Sequence, residues 1–258
     1  MKPIVTLKEV TKIYEGKVMH RALNQLSFEA LEGEFVAVMG PSGSGKTTLL
    51  NLISSIDLPT YGHVLIDNIE PERLSENELA LFRRSNLGFV FQEINLLSML
   101  TVEENMVLPL TLDGFSIEEM ERRISLLSNR LGLSNILDKR PDELSGGQAQ
   151  RTAIGRALVH KPKIILADEP TGNLDSASAR DVLELLSEVN NTERTTIIMV
   201  THDPIAASYC DRVVFIKDGQ FFNEIYKDER RQTFFQRILN VLSLLGGHSN
   251  DLSSVRLP

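Results

Sequence analysis

Phe35-Val36-Ala37-Val38-Met39-Gly40-Pro41-Ser42-Gly43-Ser44-Gly45-Lys46-Thr47-Thr48-Leu49-Leu50 is the stretch on which the fold of this chain turns. Residues 35 to 39 form a short unbroken apolar run, the pattern of a strand covered on both faces. The run passes directly into residues 40 to 47, which match G-x-x-x-x-G-K-[ST], and Thr48, Leu49 and Leu50 open a helix. In that order the glycines let main-chain amides turn toward a polyphosphate, and the helix N-terminus adds positive potential. Lys46 is placed to reach the β- and γ-phosphates, and Thr47 offers a hydroxyl to magnesium. Gly40, Pro41, Ser42, Gly43, Ser44, Gly45 and Thr48 complete the expected contact surface. A nucleotide loop alone leaves kinases, GTPases, helicases and transport ATPases open.

Outward from this loop the same α/β pattern continues. Ile164 to Ala167 and Thr195 to Val200 are further apolar runs of strand length, and residues 4 to 10 and 63 to 67 also read as strands, with helical stretches between. Lys217-Asp218-Gly219-Gln220 separates two apolar segments and predicts an Asp-Gly turn closing a late hairpin at the end of the sheet. Residues 93 to about 145 differ, with helix signals and almost no strand signal. Thr101 with Glu104, and Ser116 with Glu119, each have the spacing of a capping box. Met120, Ile124, Leu127 and Leu131 then recur at helical spacing before Gly132 offers a stop.

Composition narrows the function. The 258 residues suffice for a sizeable core. Their 27 Lys plus Arg against 35 Asp plus Glu, a formal charge of -8, oppose a broad grip on nucleic acid. The single cysteine, Cys210, makes no intrachain disulfide and has no Cys or His neighbours at zinc spacing, as fits a reducing cytosol. No apolar run approaches the roughly 20 residues of a spanning helix, and residues 1 to 10 lack the pattern of a signal peptide. His20, His63, His160 and His248 stand in no chemical setting and receive no role.

Further motifs name a family. Leu144-Ser145-Gly146-Gly147-Gln148 resembles the ABC signature, Ile164 to Pro170 resembles the Walker B segment, Gly172-Asn173-Leu174-Asp175 the D-loop, and Thr201-His202-Asp203 the H-loop. In order and spacing the chain is similar to the ABC ATPases over residues 1 to about 225. The resemblance implies a P-loop NTPase with a RecA-like mixed-sheet core, an antiparallel β subdomain and an inserted helical subdomain, using ATP and Mg2+. It implies Thr47, Gln92 and Asp168 at the metal, Glu169 activating the attacking water, and His202 at the γ-phosphate and that water. Carboxylates at the ends of apolar strands suit those tasks. Tyr14 resembles the aromatic residue that stacks on adenine. Ser145, Gly146, Gly147, Gln148 and Asp175 are implied to meet the nucleotide from across a dimer. One copy of each motif makes two half-sites, so the expected unit is a symmetric head-to-tail homodimer.

Within the family the chain resembles the export-like branch, and most of all the bacitracin-resistance (Bce-type) ATPases. The resemblance runs through LNLISSIDLPTYGHVLIDN, LALFRRSNLGFVFQEINLLSMLTVEENMVLPL, IIMVTHDPIAASYCDRVVFIKDGQ and RQTFFQRIL. It implies a separate integral-membrane permease, resistance to envelope-directed antimicrobial peptides, a sensor histidine kinase reached through the permease, and a place on the cytoplasmic face of the cell membrane. A signalling role, or a division-type or other export cargo, stays open at this point. Gly155 departs from the alanine frequent in the wider family, at about 1 kcal/mol of helix propensity. The expected organisation is an ATPase domain over 1–225, with its sheet core in 1–92 and 150–225 and a helical subdomain over about 93–149. A helical extension over 226–258 with a frayed end follows. Two surfaces compete for the permease: Leu96, Leu97, Met99 and Leu100 after Gln92, and the tail stripe Phe235, Ile238, Leu242 and Leu245, flanked by Arg230, Arg231 and Arg237.

Overall fold

The computed structural model describes residues 2–16 and 18–246; His248 and the frayed end expected at 251–258 lie outside them. Along the chain run β1 (Pro3–Tyr14), β2 (His20–Leu31), β3 (Phe35–Met39), α1 (Lys46–Ile53), β4 (Tyr61–Ile66), α2 (Glu76–Asn86) and β5 (Leu87–Phe91). Then come α3 (Val102–Leu112), α4 (Ile117–Arg130), α5 (Gly146–Leu158), β6 (Ile164–Asp168), α6 (Ser176–Glu193), β7 (Thr196–Val200), α7 (Pro204–Ala207), β8 (Arg212–Lys217), β9 (Gln220–Tyr226) and α8 (Arg231–Gly246).

Six strands form a mixed sheet in the order β5-β6-β7-β3-β8-β9, and β2-β1-β4 form a separate antiparallel sheet. In the larger sheet β5, β6, β7, β3 and β8 pair in parallel and β9 turns back against β8. The parallel strands therefore deliver their carboxyl ends to one edge, where open α/β sheets bind ligands. Their apolar runs are explained by cover on both faces. Phe35, Ala37, Met39, Ile165, Ala167, Ile197 and Met199 point into the core shared with α3 to α8. Val36, Val38, Ile164, Leu166, Ile198 and Val200 point into the core shared with α1 and the antiparallel sheet. Each large side chain so buried contributes about 1.5–3 kcal/mol.

The late hairpin closes as expected. Asp218 (φ 51°) and Gly219 (φ 73°) both take left-handed backbones, as a type I′ turn demands, and β9 is the sheet's last strand. Strand β2 has no counterpart in the sequence reading. Its buried residues Ala22, Leu23, Leu26, Phe28 and Ala30 break strict alternation because Gln25 (φ 51°) bulges, its amide donating to Thr11 Oγ1 at 3.1 Å.

In the helical stretch Thr101 and Glu104 form a complete capping box. At α4 only half of the expected box forms. Ser116 accepts from the Glu119 amide, but the Glu119 carboxylate is taken by Arg122 and Arg123. Gly132 (φ 65°) ends α4, with the Leu133 amide donating back to Ser128 and that of Gly132 to Asn129. Helix α5 runs through the boundary placed between residues 149 and 150. Gly155 on it has a packing reason: a Cβ there would lie 2.7 Å from Met106 Cε and 2.8 Å from Leu131 Cδ1. The tail stripe matches expectation at Ile238 and Leu245 and shifts by one residue at its other two positions. Phe234, Ile238, Val241 and Leu245 are its buried residues, and Phe235 is only half-buried.

Candidate active site

Three neighbouring strands end at the site. From β3 the chain enters the glycine-rich loop, where Gly45 (φ 99°) caps α1; a Cβ there would lie 2.5 Å from the Ala22 carbonyl. Lys46 folds back over the loop, its Nζ donating to the carbonyls of Gly40 and Pro41 at 2.9 Å each. Burial lowers its pKa from the ordinary value, while the charges of Glu169 and Asp168 act in the opposite direction. Those charges come from the end of β6, beside Lys46.

Asp168 closes β6 and is half-buried; burial, then the charge of Glu169, raises its pKa, and Lys46 partly offsets both. Glu169 stands in the left-handed region at φ 47°, held by its amide donating to the Val200 carbonyl at 2.9 Å. Its carboxylate is gripped from the end of β7. His202 Nδ1 lies 2.7 Å from Oε1, and Thr201 Oγ1 donates to Oε2 at 3.2 Å. Thr201 is itself locked, because the Asp203 amide donates to its hydroxyl oxygen at 3.0 Å and leaves its proton for Glu169.

Gln92 follows β5 at the same edge. Its Nε2 donates to Asn173 Oδ1 at 3.4 Å, and Asn173 Nδ2 donates to the Gln92 carbonyl at 3.1 Å. Beneath them Gln150 of α5 bridges the ends of β5 and β6, its Nε2 donating to the carbonyls of Phe91 at 3.3 Å and Pro170 at 2.8 Å. Tyr14 of β1 lies beside the first turn of α1. Its hydroxyl donates to Asp57 Oδ2 at 2.9 Å, Lys12 Nζ stands 5.0 Å from the ring centre, and Thr48 lies close enough to act on its titration.

The signature and D-loop residues are placed otherwise. Ser145 caps α5 in a full box with Gln148, leaving Gly146 and Gly147 in its first turn. Among the described residues no hydrogen bond joins 145–148 to 40–47. Asp175 caps α6 by accepting from the amides of Ala177 and Ser178, and the bonds to Ser178 lower its pKa. Sequence reading passed over Thr201, Asn173 and Gln150 as functional groups. Thr201 and Asn173 stood inside quoted motifs; Gln150 carried no signal, since its partners come from two separate strands.

The residues at this edge fit a magnesium polyphosphate. Among the described residues Ser44 Oγ is buried without a partner, a side chain at Gly43 would meet open space, and the charge of half-buried Asp168, next to Glu169, is offset by Lys46. Thr47, Gln92 and Asp168 carry hard oxygen donors of the kind that Mg2+ takes.

A family model described as ABC transporter matches residues 23–172. The chain belongs to the ABC transporter family. This ABC ATPase is 57% identical over 257 residues to the ABC transporter ATP-binding protein YxdL of Bacillus subtilis, with 100% of both chains covered. It is 49% identical to the bacitracin export ATP-binding protein BceA of Halalkalibacterium halodurans, covering 96% of this chain and 99% of that one. Among solved structures, the dimeric post-hydrolysis state of the ATP-binding cassette MJ0796, bound to ADP and Pi, superposes with TM-score 0.80 at 42% identity, covering 88% of this chain and 100% of that one. The chain is thus an ATP-binding subunit of an ABC transporter and an ATP hydrolase, with the fold of the ABC cassette.

Proposed function

We propose that this ABC ATPase hydrolyses Mg2+-bound ATP as a head-to-tail homodimer and drives a separate membrane permease that exports a peptide antibiotic of the bacitracin kind. The observation carrying the hydrolytic part is the grip of Thr201 and His202 on Glu169 beside Asp168 and Lys46. A carboxylate oriented in this way takes the proton of an attacking water. Lys46 binds the phosphates, and Mg2+, when bound, supplies Lewis-acid charge stabilisation at the transferring phosphoryl group. The full-length match to a bacitracin export ATP-binding protein supports the cargo. The dimeric state of the MJ0796 cassette and the half-sites carried by this chain support the pairing. Neither YxdL nor BceA, by name, points to a histidine kinase.

No described helix is long and apolar enough to cross a membrane. Contact with the membrane therefore runs through the permease in this reading. Its docking surface is the cavity of about 440 Å³ between α2, β5 and α3, lined by Leu87, Phe89, Phe91, Leu108 and Leu112 with Arg156. Exposed Leu97 and Met99 follow Gln92 on the loop after β5. The tail stripe is spent on the chain's own core, which disfavours it as the dock.

The test is ATP turnover in membrane vesicles with and without the permease, across ATPase concentration and added bacitracin. A rate per subunit that rises with ATPase concentration, permease and peptide is expected. Independence from ATPase concentration would refute the dimer, and indifference to the permease and peptide would refute the transport reading.

A further inference from the structure

We infer that Asn173 is a positioning residue that determines which end of the Gln92 side-chain amide is free to meet the metal. The inference rests on the reading of Gln92 as a metal-side residue. It follows from donor and acceptor chemistry at four atoms.

The Gln92 main-chain carbonyl accepts and cannot donate. The end of the Asn173 amide that lies 3.1 Å from it must therefore be the NH2 group, Nδ2. That fixes Asn173 Oδ1 toward the Gln92 side chain. An amide oxygen only accepts, so the Gln92 atom 3.4 Å from it must be Nε2. Gln92 Oε1 is left over as the free end, and an oxygen is what Mg2+ coordinates. With no partner of fixed orientation, a glutamine amide has two nearly equivalent orientations, one of which presents two hydrogens to a cation.

The backbone beside Asn173 holds the arrangement in place. A Cβ at Gly172 would lie 2.9 Å from Gln92 Nε2 and 3.0 Å from its Cδ, so the Gln92 side chain packs directly on the Thr171 to Asn173 turn. That turn is closed by the Gly172 amide donating to the Glu169 carbonyl at 3.0 Å. Asn173 thereby ties the orientation of the Gln92 amide to the segment that carries Glu169. Its own carbonyl lies 4.0 Å from the Cβ position of Gly146, the first residue of α5.

The experiment uses the full chain carrying Glu169→Gln, in which turnover is expected to fall about a hundredfold or more, with mant-ATP as the probe. Its dissociation constant is measured with Mg2+ and with EDTA, and the ratio is the metal-dependent gain in affinity. Asn173→Leu removes both polar ends at similar size on an exposed residue, and an unchanged melting temperature excludes a folding defect. Asn173→Leu is expected to lower the ratio about three- to tenfold, the worth of one well-placed hydrogen bond. Gln92→Ala is expected to lower it at least as much, and the double variant no further than Gln92→Ala alone. If Gln92→Ala lowers the ratio and Asn173→Leu does not, positioning by Asn173 is refuted while Gln92 keeps its place. If the two losses add, Asn173 acts by another route and the inference falls. If Gln92→Ala leaves the ratio unchanged, Gln92 is not at the metal and the premise falls with the inference.

Discussion

His202 Nδ1 lies 2.7 Å from Glu169 Oε1, joining the end of β7 to a residue whose left-handed backbone (φ 47°) already sets it apart. A non-glycine residue in that region carries strain of about 1–3 kcal/mol. Here it turns the carboxylate to meet Thr201 and His202 at the end of β7. The Val200 carbonyl, Thr201 and His202 together hold it there.

Glu169→Gln keeps the side-chain shape and removes the base. ATP binding should persist, while turnover falls roughly a hundredfold or more, equivalent to about 2.7 kcal/mol of barrier stabilisation. Steady-state phosphate release alongside equilibrium nucleotide binding checks both halves. Near-normal turnover would remove Glu169 from this role.

Thr201→Val deletes the proton donated to Glu169 Oε2 and leaves the Asp203 amide without its acceptor. The expected cost is about 1–3 kcal/mol of stability and about a tenfold loss of kcat, since one oriented hydrogen bond to a carboxylate is worth about 1.5 kcal/mol or more. Thr201→Ser keeps the hydroxyl and should recover most of kcat. Chemical denaturation and ATPase rates measure the two effects separately.

Asp168 has a pKa raised from its ordinary 3.8 by burial and by Glu169. A raised carboxyl binds its proton more tightly in the folded state. Its favourable contribution is therefore complete below pH 3.8 and is lost as pH rises through the folded-state value. Asp168→Asn should accordingly stabilise the nucleotide-free protein at neutral pH, with a gain that shrinks as pH falls toward 3.8. The same substitution should abolish the metal-dependent part of ATP affinity. Urea midpoints across pH test the first statement, and a gain that grows on acidification would refute it.

Gly155→Ala brings two opposed effects to α5. Helix propensity improves by about 1 kcal/mol, but the new methyl would press on Met106 and Leu131, both fully packed, and overpacking costs about 1–3 kcal/mol. A net loss of about 1 kcal/mol is expected from these terms. In a Met106→Ala background the same change should cost less, since only the press on Leu131 remains. Thermal unfolding of the four proteins in the cycle decides it.

Much of this molecule was legible because the relevant signals are local. The phosphate loop is a contiguous strand, turn and helix, the Asp-Gly turn carries its own backbone preference, and the buried strands β3, β6 and β7 write unbroken apolar runs. Strand β2 was missed because a bulge at Gln25 breaks its alternation, and the Ser116 box formed only by half because Arg122 and Arg123 compete for Glu119. The tail shows the limit of periodicity. Phe234 and Phe235 are adjacent, so helical spacing admits both, and only the surface of the core selects Phe234.

By itself, then, the sequence determined the family, the phosphate loop and the residue types at the carboxyl ends of the strands, because each depends on a short run of chain. Tertiary structure alone decided how those residues act on one another. Thr201 meets Glu169 from 32 positions away, Asn173 meets Gln92 from 81, and Gln150 stitches two strands from a third element. Hydrogen bonds across such separations exist only once sheet order and register have brought the strand ends to one edge. The orientation of an amide or a carboxylate is then set by its partners and not by its own place in the chain.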